Sequence, residues 1–430
     1  MNKDKYIPQG YKPSPLGIIP EDWEVKKLGE VCAFLRTNTL SRNQLNDVNG
    51  DIHNIHYGDV LVKYPSIIDV QKQSIPFINS EDYKESMIDF IEDGDVVLAD
   101  TAEDETVGKA CEIANIGSEK ILSGLHTMLI RPQKGLFFPC FLGYQVNSVS
   151  YRKQLQALIQ GIKVCSLGKQ AIANTYFAVP PLPEQQRIVS VLSLWDTAIA
   201  KQTALIEMLT LRKRGLMQQL LTGKKRLEGF CGEWKEVRLG DVASINRGGS
   251  PRPIERYLTK GEGFNWIKIG DVGVNAKYIT STEEKIIKEG LSKTRFVKSG
   301  DFVLSNSMSF GRPYILKING CIHDGWLVIQ EYSQTFNIDF LYYILGYDTT
   351  LAQYKSMAAG SGVLNLNKEI VKEVQLRIPS IDEQIVIASI LVNADKEIEL
   401  ANKKLARLQE EKRGLMQVLL TGKKRINNLQ

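Results

Sequence analysis

Two arginines and a hydroxyl on a turn shaped by glycine and proline are the residues of this chain best suited to chemistry. Asn246-Arg247-Gly248-Gly249-Ser250-Pro251-Arg252-Pro253 places Arg247, Ser250 and Arg252 close together on such a turn. A guanidinium can grip a phosphate, or the O6/N7 edge of guanine, through paired N–H donors. A second polar stretch, Ser305 to Arg312, follows an apolar run and offers Asn306, Ser307, Ser309 and Arg312. Ser361 lies in a third, glycine-rich loop. The plainer reading stands beside this one: surface turns whose charges are simply solvated.

In the first half of the chain the matching candidates are Arg36, Thr106, Lys109 and Lys163, with Lys63, Tyr64 and Lys72 as a further basic stretch. The loop ADTAEDETVGKA around Thr106 is acidic and repels phosphate, although a carboxylate there can accept from cytosine N4. No catalytic set accompanies these residues. Gly223-Lys224 lacks the upstream glycine and following hydroxyl of a phosphate-binding loop. No adenine-methylation tetrapeptide of the NPPF or DPPY kind is present. Glu24-Val25-Lys26 has the form of half a nuclease motif without its acidic partner. His53, His56, His126 and His323 have neither triad nor metal spacing. The expectation is a binding chain with no catalytic, cofactor-binding or metal residues of its own.

The elements that must position these loops occur twice. KRGLMQQLLTGKKR (Lys213 to Arg226) returns as KRGLMQVLLTGKKR (Lys412 to Arg425), an offset of 199 residues that also aligns Glu184-Gln185 with Glu383-Gln384. Trp23 opens WEVKKLGEV and Trp234 opens WKEVRLGDV. Between these anchors, Gly94-Asp95-Val96-Val97-Leu98 matches Gly300-Asp301-Phe302-Val303-Leu304. A constant frame thus holds a variable insert, twice, and a duplicated chain suits a target with two similar sites.

From Ile188 through Leu192, Trp195, Ile199, Gln202, Ile206 and Leu209 to Leu220, residues recur in steps of four and three, a heptad seam. Its twin runs from Ile387 to Leu419. Two such seams in one chain most simply pack on each other, and the connectivity makes them antiparallel. Gly223 and Gly422 provide the positive φ that ends a helix. Lys224-Lys225-Arg226 and its twin then have three open roles: capping the helix, binding phosphate or docking a partner. Lys213 and Lys412 fall on the seam, where they fix register or let their stems snorkel outward. Tyr144 to Ile159 has a helical pattern, and Pro8, Pro13, Pro15 and Pro20 make the first twenty residues an extended arm.

Composition sets outer bounds. Net charge is +5 and the pI about 8.6, mildly basic and compatible with nucleic acid. The six cysteines form no CxxC pair, which argues against a disulfide framework and for a reducing cytoplasm. The helical segments are too charged to span a bilayer, and the polar start from Met1 to Gly10 is no signal peptide.

The arm GYKPSPLGIIPEDWEVKKLGEV, the junction PLPEQQRIVSVL and the doubled KRGLMQxLLTGKKR resemble the specificity subunit (HsdS) of type I restriction–modification systems, from Gly10 to Arg425. The resemblance implies an α+β fold. Two mixed α/β target recognition domains would be separated by a pair of long antiparallel coiled-coil helices, with an internal pseudo-two-fold repeat. The expected boundaries are an arm over 1–20, domains over 21–178 and 228–377, and spacer helices over 179–227 and 378–430. It also implies double-stranded DNA with a bipartite site, two modification subunits (HsdM) carrying S-adenosylmethionine, and restriction subunits (HsdR) using ATP and Mg. Each domain would read one half-site and direct adenine N6 methylation or restriction. A coiled-coil scaffold without a DNA role, and an inactive or orphan specificity subunit, are the competing readings.

Overall fold

The recurring Gly-Asp pair starts the central strand of each of two sheets. Gly94 and Gly300 adopt φ of +89° and +94°, a left-handed conformation open to glycine. Asp95 and Asp301 then fold back to accept the amides of Glu92 and Lys298 at 2.8 and 2.9 Å. The strands that follow, Val96–Ala99 and Phe302–Ser305, are buried at every position. The computed structural model describes residues 7–84, 89–161, 163–273, 276–306, 310–358 and 365–426. The chain divides into two units, residues 1–203 with 404–430 and residues 204–403.

In unit one the main sheet has the order Cys32–Leu35, Thr127–Pro132, Val96–Ala99, Ala110–Ala114, Ile67–Asp69, antiparallel except for its last pair. A second sheet has the order Ile121–Ser123, His53–Ile55, Phe77–Ile78, Leu45–Asn46. Unit two repeats the main sheet as Ser244–Arg247, Trp326–Gln330, Phe302–Ser305, Pro313–Leu316, Tyr278–Ile279. Its second sheet is larger, with five strands and Gly320–Ile322 beside Phe264–Ile267. A two-stranded antiparallel ribbon closes each domain: Glu24–Lys27 with Tyr176–Val179, and Lys235–Arg238 with Gln375–Ile378. It brings the end of the domain beside its start, at the head of a long helix.

Those helices are Leu182–Leu220 and Ile381–Leu419, 39 residues each. Each unit contains part of both. In unit one Lys412 meets Asp196 at 2.5 Å; in unit two Lys213 meets Asp395 at 2.5 Å and Arg212 bonds Glu397. Early residues of one helix face late residues of the other, so the pair is antiparallel in each unit. The same aspartates accept from domain tyrosines, Tyr144 at 2.6 Å and Tyr343 at 2.5 Å. The seam lysines therefore neither snorkel nor stand alone: each neutralises an aspartate that also ties its domain to the helices. Ile188, Leu192, Ile387 and Leu391 of the same seams are fully buried, and a side chain of that size stabilises by about 1.5–3 kcal/mol on full burial.

Two local expectations are corrected. The helical stretch from Tyr144 is two short helices, Phe141–Val146 and Val149–Gln156, because Ser148 stops the first and caps the second by accepting from Tyr151 N–H. The arm is a hairpin, Tyr11–Ser14 paired with Gly17–Pro20, turned by Gly17 at φ +96°. Its Tyr11 hydroxyl donates to the Gly422 carbonyl at 3.0 Å. No helix among the described residues is long and apolar enough to cross a membrane.

Candidate DNA interface

In unit two the candidate loops converge on one turn, His323-Asp324-Gly325, between the strands Gly320–Ile322 and Trp326–Gln330. The Asp324 carbonyl accepts from Arg247 Nε and Asn306 Nδ2, both at 2.9 Å. Its carboxylate accepts the Ser250 hydroxyl at 2.7 Å and lies 3.6 Å from the Arg252 guanidinium. The Ser250 bond is the chief reason the Asp324 carboxyl is held below the usual range, so Asp324 stays ionised and attracts Arg252. Arg252 remains 80 % exposed. Arg295 adds a bond from its Nε to the Arg247 carbonyl at 2.9 Å.

Beside this turn opens a cleft lined by Ser250, Arg252, Trp266, Lys268, Glu284 and His323. Lys268 and Glu284 pair across it at 3.0 Å. Burial lowers the His323 pKa, and its Nδ1 lies 2.7 Å from the Gly325 amide, from which it can accept as the neutral Nε2–H tautomer. The imidazole is thus part of the turn's framework. A concave surface with an exposed arginine and satisfied neighbours can take hydrogen-bond acceptors from a ligand without rearranging its own core.

Unit one assembles its candidates differently. Arg36, the counterpart of Arg247, is held by Asp89 through its backbone N–H at 2.7 Å and Nε at 2.9 Å. Thr106 is exposed and binds Asp104 through both its amide and its hydroxyl. Lys109 turns inward and donates to the Leu61 carbonyl at 2.9 Å, with its pKa lowered by burial. Lys63 is exposed and donates to the Ser74 carbonyl, whereas Lys72 pairs with Asp69 at 2.6 Å. Lys163 is exposed. Tyr64 is corrected to a core residue: it is 2 % exposed, so its ring has no face to offer a duplex.

Arg247, Ser250, Arg252 and Asn306 are therefore brought together, while the unit-one candidates are dispersed. Asn306 is itself 3 % exposed and serves the turn. Arg312 ends the loop, 5.9 Å from the ring of Tyr314 on the strand Pro313–Leu316 that follows. Ser307, Ser309 and Ser361 lie outside the described residues. Asp324, the centre of the unit-two arrangement, was missed from sequence, as was its neighbour His323. The available signal was positional: aligned at an offset of 199, His323-Asp324-Gly325 matches Gly124-Leu125-His126.

A family profile described as the type I restriction modification DNA specificity domain matches residues 20–210 and again 232–410. The putative type I restriction enzyme MjaX specificity subunit of Methanocaldococcus jannaschii is 24% identical over 438 residues, spanning 98% of each protein. A solved structure of the S subunit of a type I restriction–modification system from M. genitalium aligns with TM-score 0.54 and 14% identity, over 93% of this chain and 96% of that one. A chain from a structure addressing complex assembly and conformational transition of the type I R-M system aligns with TM-score 0.61 and 19% identity, over 94% and 99%.

Proposed function

Because the chain belongs to the type I restriction–modification DNA specificity family, we propose that each of its units reads one half of a bipartite site on double-stranded DNA. The helix pair sets the spacer between the half-sites. Two modification subunits (HsdM), carrying S-adenosylmethionine, dock on the helices and methylate adenine N6 in each half-site. Restriction subunits (HsdR), using ATP and Mg, complete the assembly. The chain itself supplies the address and performs no bond-making step.

The observation that carries this reading is the unit-two turn, where Arg247 and Ser250 are hydrogen-bonded to Asp324 and Arg252 stands outward beside its carboxylate. Base readout needs donors aimed at groove edges, and a pre-organised arginine loses less conformational freedom on contact than a free one. The helices also display Leu205, Met208, Leu211 and Leu400 in unit two, each at least 47 % exposed. Exposed apolar side chains grouped on a helix pair suit a protein partner.

The test is single-molecule methylation sequencing of a methylation-free host expressing this chain with its modification subunit, against the modification subunit alone. A split motif with N6-methyladenine in both halves, present only with this chain, is expected. Soluble, copurifying proteins that leave no motif would indicate an inactive subunit. Failure to copurify would favour the scaffold.

A further inference from the structure

The turn before the last strand of the main sheet is built alike in both units. In unit one the Asp100 amide donates to the His126 carbonyl at 3.1 Å, the Leu167 amide to the Asp100 carbonyl at 2.9 Å, and the Asn38 amide to the Ser123 carbonyl at 2.9 Å. In unit two the Asn306 amide donates to Gly325 at 3.0 Å, Leu366 to Asn306 at 2.8 Å, and Gly249 to Ile322 at 3.1 Å. These main-chain bonds tie the loops to the turn in both units, and in unit two the side chains of Arg247, Ser250 and Asn306 add to them. Every residue except proline has those groups, so the shared main-chain bonds tolerate a change of side chain. The side chains differ: Asp100 against Asn306, Leu125 against Asp324, and His126 against Gly325. A constant frame with interchangeable side chains is what reading two different half-sites requires.

We propose that this turn, together with the side chains bonded or ion-paired to its residues, is the base-reading element of each unit. The proposal rests on the DNA-reading function above and names the residues that carry it out. In unit one the readers are His126 and Asp100. The His126 side chain is 47 % exposed, its backbone sits at φ +55°, its ring packs edge-on to Tyr57 at 5.4 Å, and its Nδ1 lies 3.8 Å from Asp100 Oδ1. A carboxylate there accepts from the exocyclic amine of cytosine and rejects the carbonyl of a wrong base. The acidic neighbours Glu103, Asp104 and Glu105 are exposed and disfavour phosphate, so the phosphate contacts of this half must come from other loops. In unit two the reader is Arg252, and guanine is its target. Asp324 is a positioning residue that aims Arg252 through its charge and holds Ser250 and Arg247 in place.

The complete chain, coexpressed with its modification subunit in a methylation-free host, tests this by the motif it imprints. Asp100→Asn with His126→Ala should relax a cytosine position in one half-site by about tenfold or more, leaving the other half and the spacer unchanged. Arg252→Ala and Asp324→Ala should each relax the same guanine position in the other half, and Asp324→Glu should restore it. A merely structural role for Asp324 would lower methylation without altering base preference, and that result overturns the assignment. Should a variant methylate nothing, duplexes altered in one half-site at a time decide. Sensitivity lost to one half alone supports the proposal; binding lost equally to both overturns it. A wild-type motif retained by every variant sinks this inference and leaves the general function standing, whereas a wild-type complex that imprints no motif removes both.

Discussion

Glu184 and Gln185 divide a task at the head of the first long helix, and Glu383 and Gln384 repeat it on the second. Gln185 is fully buried; it accepts from Phe138 N–H at 2.7 Å and donates to the Leu136 and Pro180 carbonyls, so it staples a domain loop to the helix start. Gln384 does the same with Asn337, Thr335 and Pro379. Glu184 takes both arms of Arg425, and Glu383 those of Arg226. The arginine of each KKR run is therefore an internal partner, and the lysines before it are the exposed charges. The tryptophans differ: Trp23 donates to Glu184 at 2.9 Å, whereas buried Trp234 Nε1 has no partner among the described residues. A different buried acid should make the stability of unit one depend on pH. Glu112 accepts from the Cys140 and Gly143 amides at 2.6 and 2.7 Å, yet burial dominates and pushes its pKa up from 4.5 to about 7. The fold favours the protonated form, so this contribution is complete below pH 4.5 and is lost as pH rises to 7. The loss is about 3 kcal/mol at most. Urea unfolding of unit one between pH 5 and 7.5 should show it, and Glu112→Gln should flatten the profile; an unchanged slope in the variant would assign the pH dependence elsewhere.

At the scale of elements, both long helices end by one device with two different surroundings. Gly223 and Gly422 adopt φ of +68° and +69°. The amides of Lys225 and Lys424 then reach back to the carbonyls of Gln219 and Val418, both at 3.1 Å. Any other L-residue there costs about 1 kcal/mol. A Cβ on Gly223 would lie 3.3 Å from the Trp234 ring, a contact that small shifts relieve, but on Gly422 it would fall 2.3 Å from Pro20 of the hairpin. Gly223→Ala should cost about 1 kcal/mol, and Gly422→Ala about 1–3 kcal/mol more through overpacking. Chemical denaturation of the two variants checks the order. Equal losses would mean that the hairpin moves aside freely.

For the whole molecule, the unit boundaries fall inside the helices, after Thr203 and after Lys403, so each unit owns one domain and a part of each helix. Its ion pairs stay within it: Lys412–Asp196 and Arg425–Glu184 in one, Lys213–Asp395 and Arg226–Glu383 in the other. An insertion in one helix alone would break the register of these pairs. Seven residues added after both Thr203 and Lys403 preserve the heptads and every pair, and add about 10 Å of helix at ~1.5 Å per residue. If the helices set the spacer, the imprinted motif should gain about three base pairs at ~3.4 Å each. Full activity with the original spacer would refute the ruler.

The sequence by itself determined what depends on local chemistry and on repetition. Apolar spacing announced the long helices, glycine announced their ends, and the matched Gly-Asp stretches and near-identical KRGLMQxLLTGKKR runs announced that the frame occurs twice. These signals are legible because 3.6-residue periodicity and positive φ are properties of a few consecutive residues. Only the tertiary structure decided which polar residues form the site. Asp324 meets Ser250 across 74 positions and Arg247 across 77, and no local pattern encodes such a meeting. It also turned Tyr64 and Lys109 inward and tied Arg36 to Asp89, because a buried or paired side chain looks the same in sequence as a free one. The loops vary where the frame is constant: the shared main-chain hydrogen bonds do not specify side chains, so the proposed reading residues lie where local sequence rules constrain least.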